Sequence, residues 1–345
     1  MTFVKKTLLI TQDFPPLTGG IANYYSNRVY KMQSNEIVVL MNRDVNMRIH
    51  ANDAKNFKIY YKNFFTKLIW PHWLLLIFQA YKIIKKEKPN MLWVGQVLPV
   101  GTVVWLLNKI LKIKYFVTCH GNDLLRAKNN SRKFKLAKKI LVKAEYVEAN
   151  TKFTQQILIN DFNISSDKIK IIYPENTLSK NQVNQEKVVE LKRELNLSDK
   201  KVLITVARLV KSKGIEKIIK LMPELLKQIP NLVYIIVGDG FEKENLEKIS
   251  NEKIIFIGNV PHAELPNYYS LADCFVLVPQ KNEGDTESFG IVYLEALEFG
   301  LPVIAGNVGG AKEIAEKNSK MILVDSENQV EVLENILNTL NSLKI

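Results

Sequence analysis

Short runs of β-branched and aliphatic residues alternate along the chain with longer segments whose apolar residues recur every three or four positions. The short runs predict buried strands, and the longer segments predict amphipathic helices. In the first half, the predicted strands cover residues 7–11, 37–41, 57–61, 91–96, 115–119 and 146–150. In the second half, they cover residues 202–207, 233–237, 254–257, 274–278 and 303–305, with helices at 215–228 and 289–299. This alternation predicts an α/β fold of parallel sheets covered by helices.

A polar segment divides the pattern in two. Residues 174–200 are rich in Asn, Gln, Lys and Glu and predict a linker that runs into a short helix. The chain has 345 residues, more than the roughly 250–300 at which a single core usually stops growing. We therefore predict two domains, 1–180 and 181–345, with the final helix a candidate to pack back on the first domain.

Composition indicates a folded protein, because 47% of the residues are hydrophobic and 24% are charged, and the two widely separated cysteines favour a reducing compartment. Cys119 and Cys274 lie far apart, without a CxxC motif or a histidine cluster, so neither a disulfide framework nor a metal site is expected. The most apolar run, residues 68–81, contains Pro71 and His72 and is shorter than the roughly 20 residues that span a bilayer. No signal peptide or transmembrane helix is expected, and we predict a cytoplasmic protein.

The net charge of +13 is unevenly distributed. Residues 1–180 contain 29 Lys and Arg against 11 Asp and Glu, or +18, whereas residues 181–345 contain 19 against 24, or −5. The positive half is expected to attract anions, whether anionic lipid, nucleic acid or an acidic substrate, and charge alone does not choose between them.

A predicted helix at residues 131–143 concentrates part of this charge. Its apolar residues fall on one face, and the other face holds the lysines Lys133, Lys135, Lys138 and Lys139. Such a helix can lie on anionic lipid, and the alternative is a core helix with a solvated basic face. A second candidate membrane contact is aromatic, although part of this set is expected to be buried: Phe64, Phe65, Trp70 and Trp73, near Lys62 and Lys67.

In the first half, glycine and polar residues follow two predicted strands. Gly19 and Gly20 precede a predicted helix, whose bare amides favour an anion; a tight turn is the alternative. His120 follows the strand at 115–119 and is placed to bond a sugar hydroxyl; Asn122 or Asp123 as a helix cap, with His120 as a packing residue, is the alternative.

In the second half, two cations flank a predicted helix start. Arg208 and Lys213 can stabilise a leaving nucleoside diphosphate without a divalent metal, and a solvated basic loop is the alternative. Gly238-Asp239-Gly240 predicts a further turn that allows close approach, and an ordinary glycine turn is the alternative. Val308-Gly309-Gly310 predicts another glycine-rich helix start that could contact a ligand, and a structural crossover between strand and helix is the alternative.

Two glutamates bracket the most informative motif, from Glu287 in a loop to Glu295 about two turns into a helix. At a rise of about 1.5 Å per residue their backbones lie about 12 Å apart. That exceeds the roughly 5–9.5 Å between the carboxyl groups of a hydrolytic pair. We therefore expect Glu287 to hold the hydroxyls of a sugar and Glu295 those of a ribose, with plain surface exposure as the alternative.

Together and in this order, the motifs resemble those of the retaining GT-B glycosyltransferases of the family 4 type. The run from Glu287 to Ala296 looks like that of the bacterial phosphatidylinositol mannosyltransferases. The resemblance implies two Rossmann-like domains facing across a cleft, the first for the acceptor and the second for the donor. It also implies retention of anomeric configuration, with no essential metal and no cofactor beyond the nucleotide-sugar substrate.

The resemblance also implies roles for individual residues. Arg208 and Lys213 would hold the diphosphate, Glu287 the sugar hydroxyls, Glu295 the ribose and His120 the sugar. The remaining donor-binding positions are Gly19, Gly20, Gly238, Val260, Ser288, Phe289 and Gly290. Residues 258–261 do not distinguish guanine from uracil, so GDP-mannose and a UDP-sugar both remain possible. The long acidic loop 279–286 departs from the family pattern.

These expectations combine into one prediction: transfer of a hexose to a lipid or lipid-linked glycan at the inner face of the cytoplasmic membrane, in cell-surface polysaccharide or glycolipid synthesis. An epimerase or hydrolase of nucleotide sugars on the same fold is the first alternative. A basic nucleic-acid-binding protein is the second, and no zinc finger or RRM-like motif supports it, so no nucleic-acid partner is expected.

Overall fold

The chain forms two compact units, Met1–Glu175 and Asn176–Ile345. The computed structural model describes residues 6–17, 19–43, 57–67, 70–280 and 287–342. Both units are built on a parallel sheet, so the α/β prediction is confirmed. The division falls a few residues before the boundary predicted at residue 180.

The first domain contains a seven-stranded sheet in the order β3-β2-β1-β4-β5-β6-β7, and all its strand pairs are parallel. The strands are β1 Thr7–Thr11, β2 Ile37–Asn42, β3 Lys58–Lys62, β4 Met91–Val94, β5 Lys114–Cys119, β6 Val147–Ala149 and β7 Ile169–Ile171. The helices are α1 Gly20–Tyr30, α2 Leu74–Glu87, α3 Val100–Leu111, α4 Asn122–Lys128, α5 Ser131–Lys143 and α6 Lys152–Asn160.

The second domain contains a six-stranded parallel sheet in the order β10-β9-β8-β11-β12-β13. Its strands are β8 Lys201–Val206, β9 Leu232–Val237, β10 Ile254–Gly258, β11 Cys274–Leu277, β12 Val303–Gly306 and β13 Met321–Val324. Its helices are α7 Gln185–Glu194, α8 Ile215–Gln228, α9 Lys243–Lys248, α10 Leu265–Tyr269, α11 Ile291–Glu298, α12 Ala311–Ala315 and α13 Gln329–Ser342.

Both sheets reverse their strand order beside the first strand. β1 lies between β2 and β4, and β8 lies between β9 and β11. In open parallel sheets, ligands bind beyond the carboxyl ends of the strands at such a switch point. The loops after β1, β4 and β5, and those after β8, β9, β11 and β12, are therefore where a ligand site is expected in each domain.

Apolar packing fixes these loops on rigid elements. On one face of the first sheet, α2, α3 and α5 cover a large aliphatic core. On the other face, Tyr24 and Tyr25 of α1 pack with Trp93 and Phe116. In the second domain, the buried residues of the final helix α13 join the core of their own domain.

Two details of the sequence prediction are corrected. β7 and β13 were not predicted, because each is only three or four residues long and not continuously buried. The helix expected at 289–299 begins at Ile291, since Gly290 has φ +81° and cannot continue a helix backwards. Glu295 therefore lies little more than one turn into α11, not two. Within the described part of the chain, no helix combines the length and apolarity needed to cross a bilayer.

Candidate functional site

Exposed glycines begin helix α1 at the end of the loop that follows β1. Gly19 precedes the helix with φ +137°, a conformation open mainly to glycine, and a Cβ placed there would meet no atom within 4 Å. Gly19 and Gly20 therefore leave an open helix start with free space before it. Thr18, between the motif and the preceding loop, lies outside the described residues.

His120 follows β5 and is buried among aromatic rings. Its ring packs edge-on against Tyr24 and Tyr25, with centroid distances of 5.2 and 5.4 Å. Its Nε2 lies 2.7 Å from the Tyr25 hydroxyl, which also donates a hydrogen bond to the carbonyl of Gly95. Burial, with a smaller contribution from the positive charge of Arg28, lowers the pKa of His120 to about 3. His120 is therefore a neutral imidazole at physiological pH.

Asp123 supports the same loop. Its Oδ1 accepts hydrogen bonds from the backbone N–H groups of His120, at 3.0 Å, and Leu124, at 3.1 Å. Its Oδ2 is buried and has no hydrogen-bond partner within the described ranges. Burial raises the pKa of Asp123 to about 6, against the opposing effect of these N–H donors.

A partly buried ion pair, which sequence reasoning missed, ties α1 to the sheet. Arg28 donates two hydrogen bonds to Glu148, at 2.5 and 2.9 Å, and its guanidinium stacks 4.4 Å from the ring of Trp93. Glu148 also accepts a hydrogen bond of 2.7 Å from Thr118. The arrangement links α1 with β4, β5 and β6 and holds the face of α1 that contacts His120. No local pattern signals it, because the partners lie 120 positions apart.

In the second domain, the structure brings two predicted site residues into direct contact. Lys213 donates a hydrogen bond to Oε2 of Glu287, 74 positions away, and both side chains are mostly buried, with exposures of 16% and 14%. The loop of Lys213 is held against the end of β11, where the N–H of Gln280 bonds the carbonyl of Ser212 at 2.9 Å.

Glycines let the strand-end loops of this domain pack on one another. A Cβ on Gly238 would stand 1.9 Å from the carbonyl oxygen of Ala207, and one on Gly309 would stand 1.7 Å from that of Glu287. The N–H of Gly310 also bonds the carbonyl of Ser288, at 3.1 Å. The close approach predicted for these glycines is thus made by the protein's own backbone, which fixes the position of Glu287.

Glu295 differs from Glu287 in being more deeply buried and in having different hydrogen-bond partners. Its side chain is 2% exposed; Oε2 accepts a hydrogen bond of 2.8 Å from Tyr269, and Oε1 lies 3.2 Å from Nε2 of His262. His262 follows β10 and is partly exposed. Sequence reasoning missed both partners, although the place of His262 just beyond a strand end was an available signal.

The other predicted donor residues surround these groups. Arg208 is exposed in the loop after β8, while Ser288, Phe289 and Gly290 are buried before α11. Val260 lines a groove of about 470 Å³ together with Asn259, Pro261, Gln182 and Asn184. Of the acidic loop 279–286, residues 281–286 lie outside the described residues.

The two predicted membrane contacts are only partly available. The apolar face of α5 is in the core: Ala137, Ile140 and Leu141 are buried, and Phe134 packs on Phe162 with ring centroids 4.8 Å apart. The apolar face of this helix therefore packs in the core, as the core-helix alternative predicts, and amphipathic periodicity does not distinguish the two environments. Lys133, Lys135 and Lys139 are exposed, and Lys138 is half-buried.

The aromatic set is divided in the same way. Phe64 is fully buried, and Trp73 is partly buried and packs against the core. Phe65 is 39% exposed and Trp70 is 84% exposed.

Two doubly wound parallel domains in one chain, each with glycine-led helix starts and polar side chains at its strand ends, define the GT-B class of glycosyltransferases. Sequence comparison agrees over both domains: Glycosyltransferase Family 4 matches residues 19–174, and Glycosyl transferases group 1 matches residues 188–344. The chain therefore belongs to the GT-B glycosyltransferases, as the motifs predicted.

Curated relatives include lipid-modifying enzymes. A GDP-mannose-dependent alpha-(1-6)-phosphatidylinositol monomannoside mannosyltransferase of Mycolicibacterium smegmatis is 25% identical over 92% of this chain and 85% of its own length. An alpha-monoglucosyldiacylglycerol synthase of Acholeplasma laidlawii is 37% identical, over 36% of this chain and 32% of its own length.

Solved structures share the fold. Anabaena HepE, in complex with UDP and glucose, superimposes with a TM-score of 0.77 at 19% identity, covering 98% of this chain and 90% of its own. A sucrose-phosphate synthase of Thermosynechococcus elongatus superimposes with a TM-score of 0.73 at 16% identity, covering 98% of this chain and 90% of its own. The GT-B fold is thereby confirmed.

Proposed function

We propose that this protein is a configuration-retaining, metal-independent glycosyltransferase that moves a hexose from a nucleoside-diphosphate sugar to a lipid or lipid-linked glycan. The observation that carries the proposal is the contact between Lys213 and Glu287. A cation suited to phosphate and a carboxylate suited to sugar hydroxyls are held side by side, as the adjoining diphosphate and sugar of a donor would require. Lys213 and Glu287 neutralise each other's charge. A bound nucleotide sugar would instead place its phosphate against Lys213 and its sugar hydroxyls against Glu287.

The reaction follows from those roles. The bond between the anomeric carbon and the β-phosphate oxygen breaks, and the acceptor oxygen forms its bond on the same face of the sugar. The proton of the acceptor hydroxyl passes to the leaving phosphate. Lys213 and Arg208 neutralise the charge that develops on the diphosphate, and they thereby supply the stabilisation for which other enzymes use a metal.

Two nucleotides are candidates for the donor. The names of full-length relatives specify GDP-mannose, and HepE has been crystallised with UDP and glucose. Val260 and its neighbours offer backbone groups and amide side chains that can hydrogen-bond either base. GDP-mannose is the better supported of the two, because the relatives named for it are 25% identical to this chain and HepE is 19% identical.

A cationic surface on the first domain supports a lipid acceptor. Helices α2, α3 and α5 form one layer over the sheet, and their outer faces expose lysines from Lys82 to Lys143. Between residues 70 and 143 the only acidic residues are Glu87 and Asp123. Glu87 is buried in an ion pair with Lys6 at 2.6 Å, and Oδ1 of Asp123 accepts backbone N–H groups. Trp70 and Phe78 add exposed aromatic surface, as a peripheral membrane contact requires.

Turnover of single variants tests the donor site. We expect Arg208→Ala and Lys213→Ala each to raise the activation free energy by about 2–4 kcal/mol, because a preorganised charge at the leaving group is lost. This corresponds to a fall in kcat of roughly 30- to 1000-fold. Lys211→Ala, which removes an exposed lysine from the same loop, is the matched control and should stay near the wild-type rate. Near-normal turnover of both variants would refute the proposed cation pair.

A further inference from the structure

The hydroxyl of Tyr25 lies 2.7 Å from Nε2 of His120, a contact that the proposed function does not by itself require. We propose that Tyr25 is a positioning residue that fixes the tautomer of His120 and leaves Nδ1 as the ring nitrogen that can accept a hydrogen bond from the transferred sugar. The inference rests on the proposed role of His120 in holding the sugar. It specifies that the sugar donates the hydrogen bond and that His120 accepts it.

The proton count at the Tyr25 hydroxyl decides the tautomer. The hydroxyl has one proton and two close partners, the carbonyl oxygen of Gly95 and Nε2 of His120. A carbonyl can only accept, so the hydroxyl proton points to Gly95. The second bond, 2.7 Å long, then requires a proton on Nε2 of His120. In a neutral imidazole, a proton on Nε2 leaves a lone pair on Nδ1.

The surroundings hold this arrangement in place. Tyr25 is fully buried, and its ring packs edge-on against both His120 and Trp93. Gly95 cannot withdraw easily, because its backbone is bonded to the end of β1 through its N–H and the carbonyl of Ile10, at 2.9 Å. The acceptor of the hydroxyl proton is therefore fixed by the sheet itself.

The neighbouring Tyr24 shows what ring packing alone provides. Its ring contacts His120 as closely as that of Tyr25, at 5.2 Å against 5.4 Å, but its hydroxyl accepts a hydrogen bond from Arg28 instead. Tyr24 can hold the plane of the imidazole but has no means of selecting a tautomer. Replacing either tyrosine with phenylalanine removes one buried hydroxyl, so the two variants form a matched pair.

The fixed tautomer has a chemical consequence. Nδ1 can accept a hydrogen bond from a donor such as a sugar hydroxyl, and it has no proton to donate. His120 then orients the sugar without acting as a general acid, and proton transfer is left to the acceptor hydroxyl and the leaving phosphate.

Long-range ¹H–¹⁵N NMR of the ¹⁵N-labelled protein tests the tautomer directly. The chain has four histidines, and His120→Gln assigns the relevant signals by their loss. We expect the pattern of a neutral Nε2–H imidazole in the wild type and in Tyr24→Phe, and a mixture of tautomers in Tyr25→Phe. An Nδ1–H imidazole in the wild type would overturn the proposal without any variant, as would an unchanged pattern in a folded Tyr25→Phe.

Kinetics separate positioning from stability. We expect Tyr25→Phe to lower kcat by at least about tenfold, with an unchanged dissociation constant for the free nucleoside diphosphate, while Tyr24→Phe keeps kcat within about twofold. Equal turnover of the two variants would contradict the positioning role. If the wild type transfers no sugar, the proposed function fails, and the NMR pattern still decides the tautomer.

Discussion

Asp123 carries a buried carboxylate whose ionisation opposes folding. Burial raises the pKa of Asp123 in the folded protein to about 6, above its ordinary value of 3.8. A group with a raised pKa contributes its stability fully below the unfolded pKa and loses it as pH rises through the folded pKa. The window for Asp123 is therefore about pH 4 to 6, and above it the carboxylate is ionised and costs stability.

Asp123→Asn should stabilise the protein at neutral pH, because the amide keeps an oxygen for the N–H groups of His120 and Leu124 and removes the buried charge. We expect a gain of about 1–3 kcal/mol at pH 7.5 that shrinks towards pH 4.5, measured by urea unfolding. Asp167→Asn, at an exposed aspartate, is the control and should show no such pH dependence. A gain that is the same at both pH values would contradict the buried-charge account.

Site residues were predictable where a local motif marks them, but their partners were not. Lys213 and Glu287 each stand beside a glycine-led helix start, which the sequence displays. Their mutual ion pair spans 74 positions, and the bond between Tyr25 and His120 spans 95. Such contacts are set by strand order in the folded sheet, which periodicity within a short window does not reveal.

At the scale of elements, the strand-end loops of the second domain hold one another through backbone contacts. Gly309 lies against the carbonyl of Glu287, and Gly238 lies against that of Ala207. Both glycines also have positive φ. The position of Glu287 therefore depends on the loop after β12 as much as on the loop that contains Glu287.

Gly309→Ala should both destabilise the protein and impair transfer, because its Cβ would stand 1.7 Å from the carbonyl oxygen of Glu287. Gly300→Ala is the matched control, since Gly300 also has positive φ, at +82°, and the nearest atom to its added Cβ would be at 3.5 Å, an ordinary contact. We expect the control to lose about 1 kcal/mol from strain alone and Gly309→Ala to lose clearly more. Equal melting temperatures and equal turnover would show that the contact does not matter.

Element type followed well from hydrophobic pattern, and element environment did not. β1 and α8 occupy the residues predicted for them, because β1 is an apolar run bounded by polar residues and the apolar residues of α8 recur at helical spacing. Helix α5 was predicted equally well as a helix, yet its apolar face packs in the core rather than on lipid. A single amphipathic helix shows the same pattern in both environments.

At the scale of the whole molecule, the two domains differ in charge, at +18 for residues 1–180 and −5 for residues 181–345. The exposed lysines of α5 contribute to this charge even though its apolar face is unavailable. Membrane binding is therefore expected to depend on salt and on anionic lipid rather than on insertion of this helix.

Liposome flotation tests that expectation. The protein should float with anionic vesicles and not with neutral ones, and a variant with Lys133, Lys135, Lys138 and Lys139 changed to Glu should lose most of the binding. A control with four lysines of the second domain changed to Glu has the same net charge and should still float; these are Lys192, Lys220, Lys227 and Lys248. Equal loss in both variants would contradict a specific basic surface.

The most direct test of the central claim is sugar transfer by the wild-type protein. Labelled GDP-mannose and UDP-glucose are each supplied with anionic vesicles containing phosphatidylinositol and diacylglycerol lipids, in the presence of a metal chelator, and the organic phase is analysed. We predict that label from one donor enters a lipid, one nucleoside diphosphate is released per sugar, and the anomeric configuration by NMR matches that of the donor. Release of free sugar into water at the same rate with and without lipid, or an inverted product, would contradict the account.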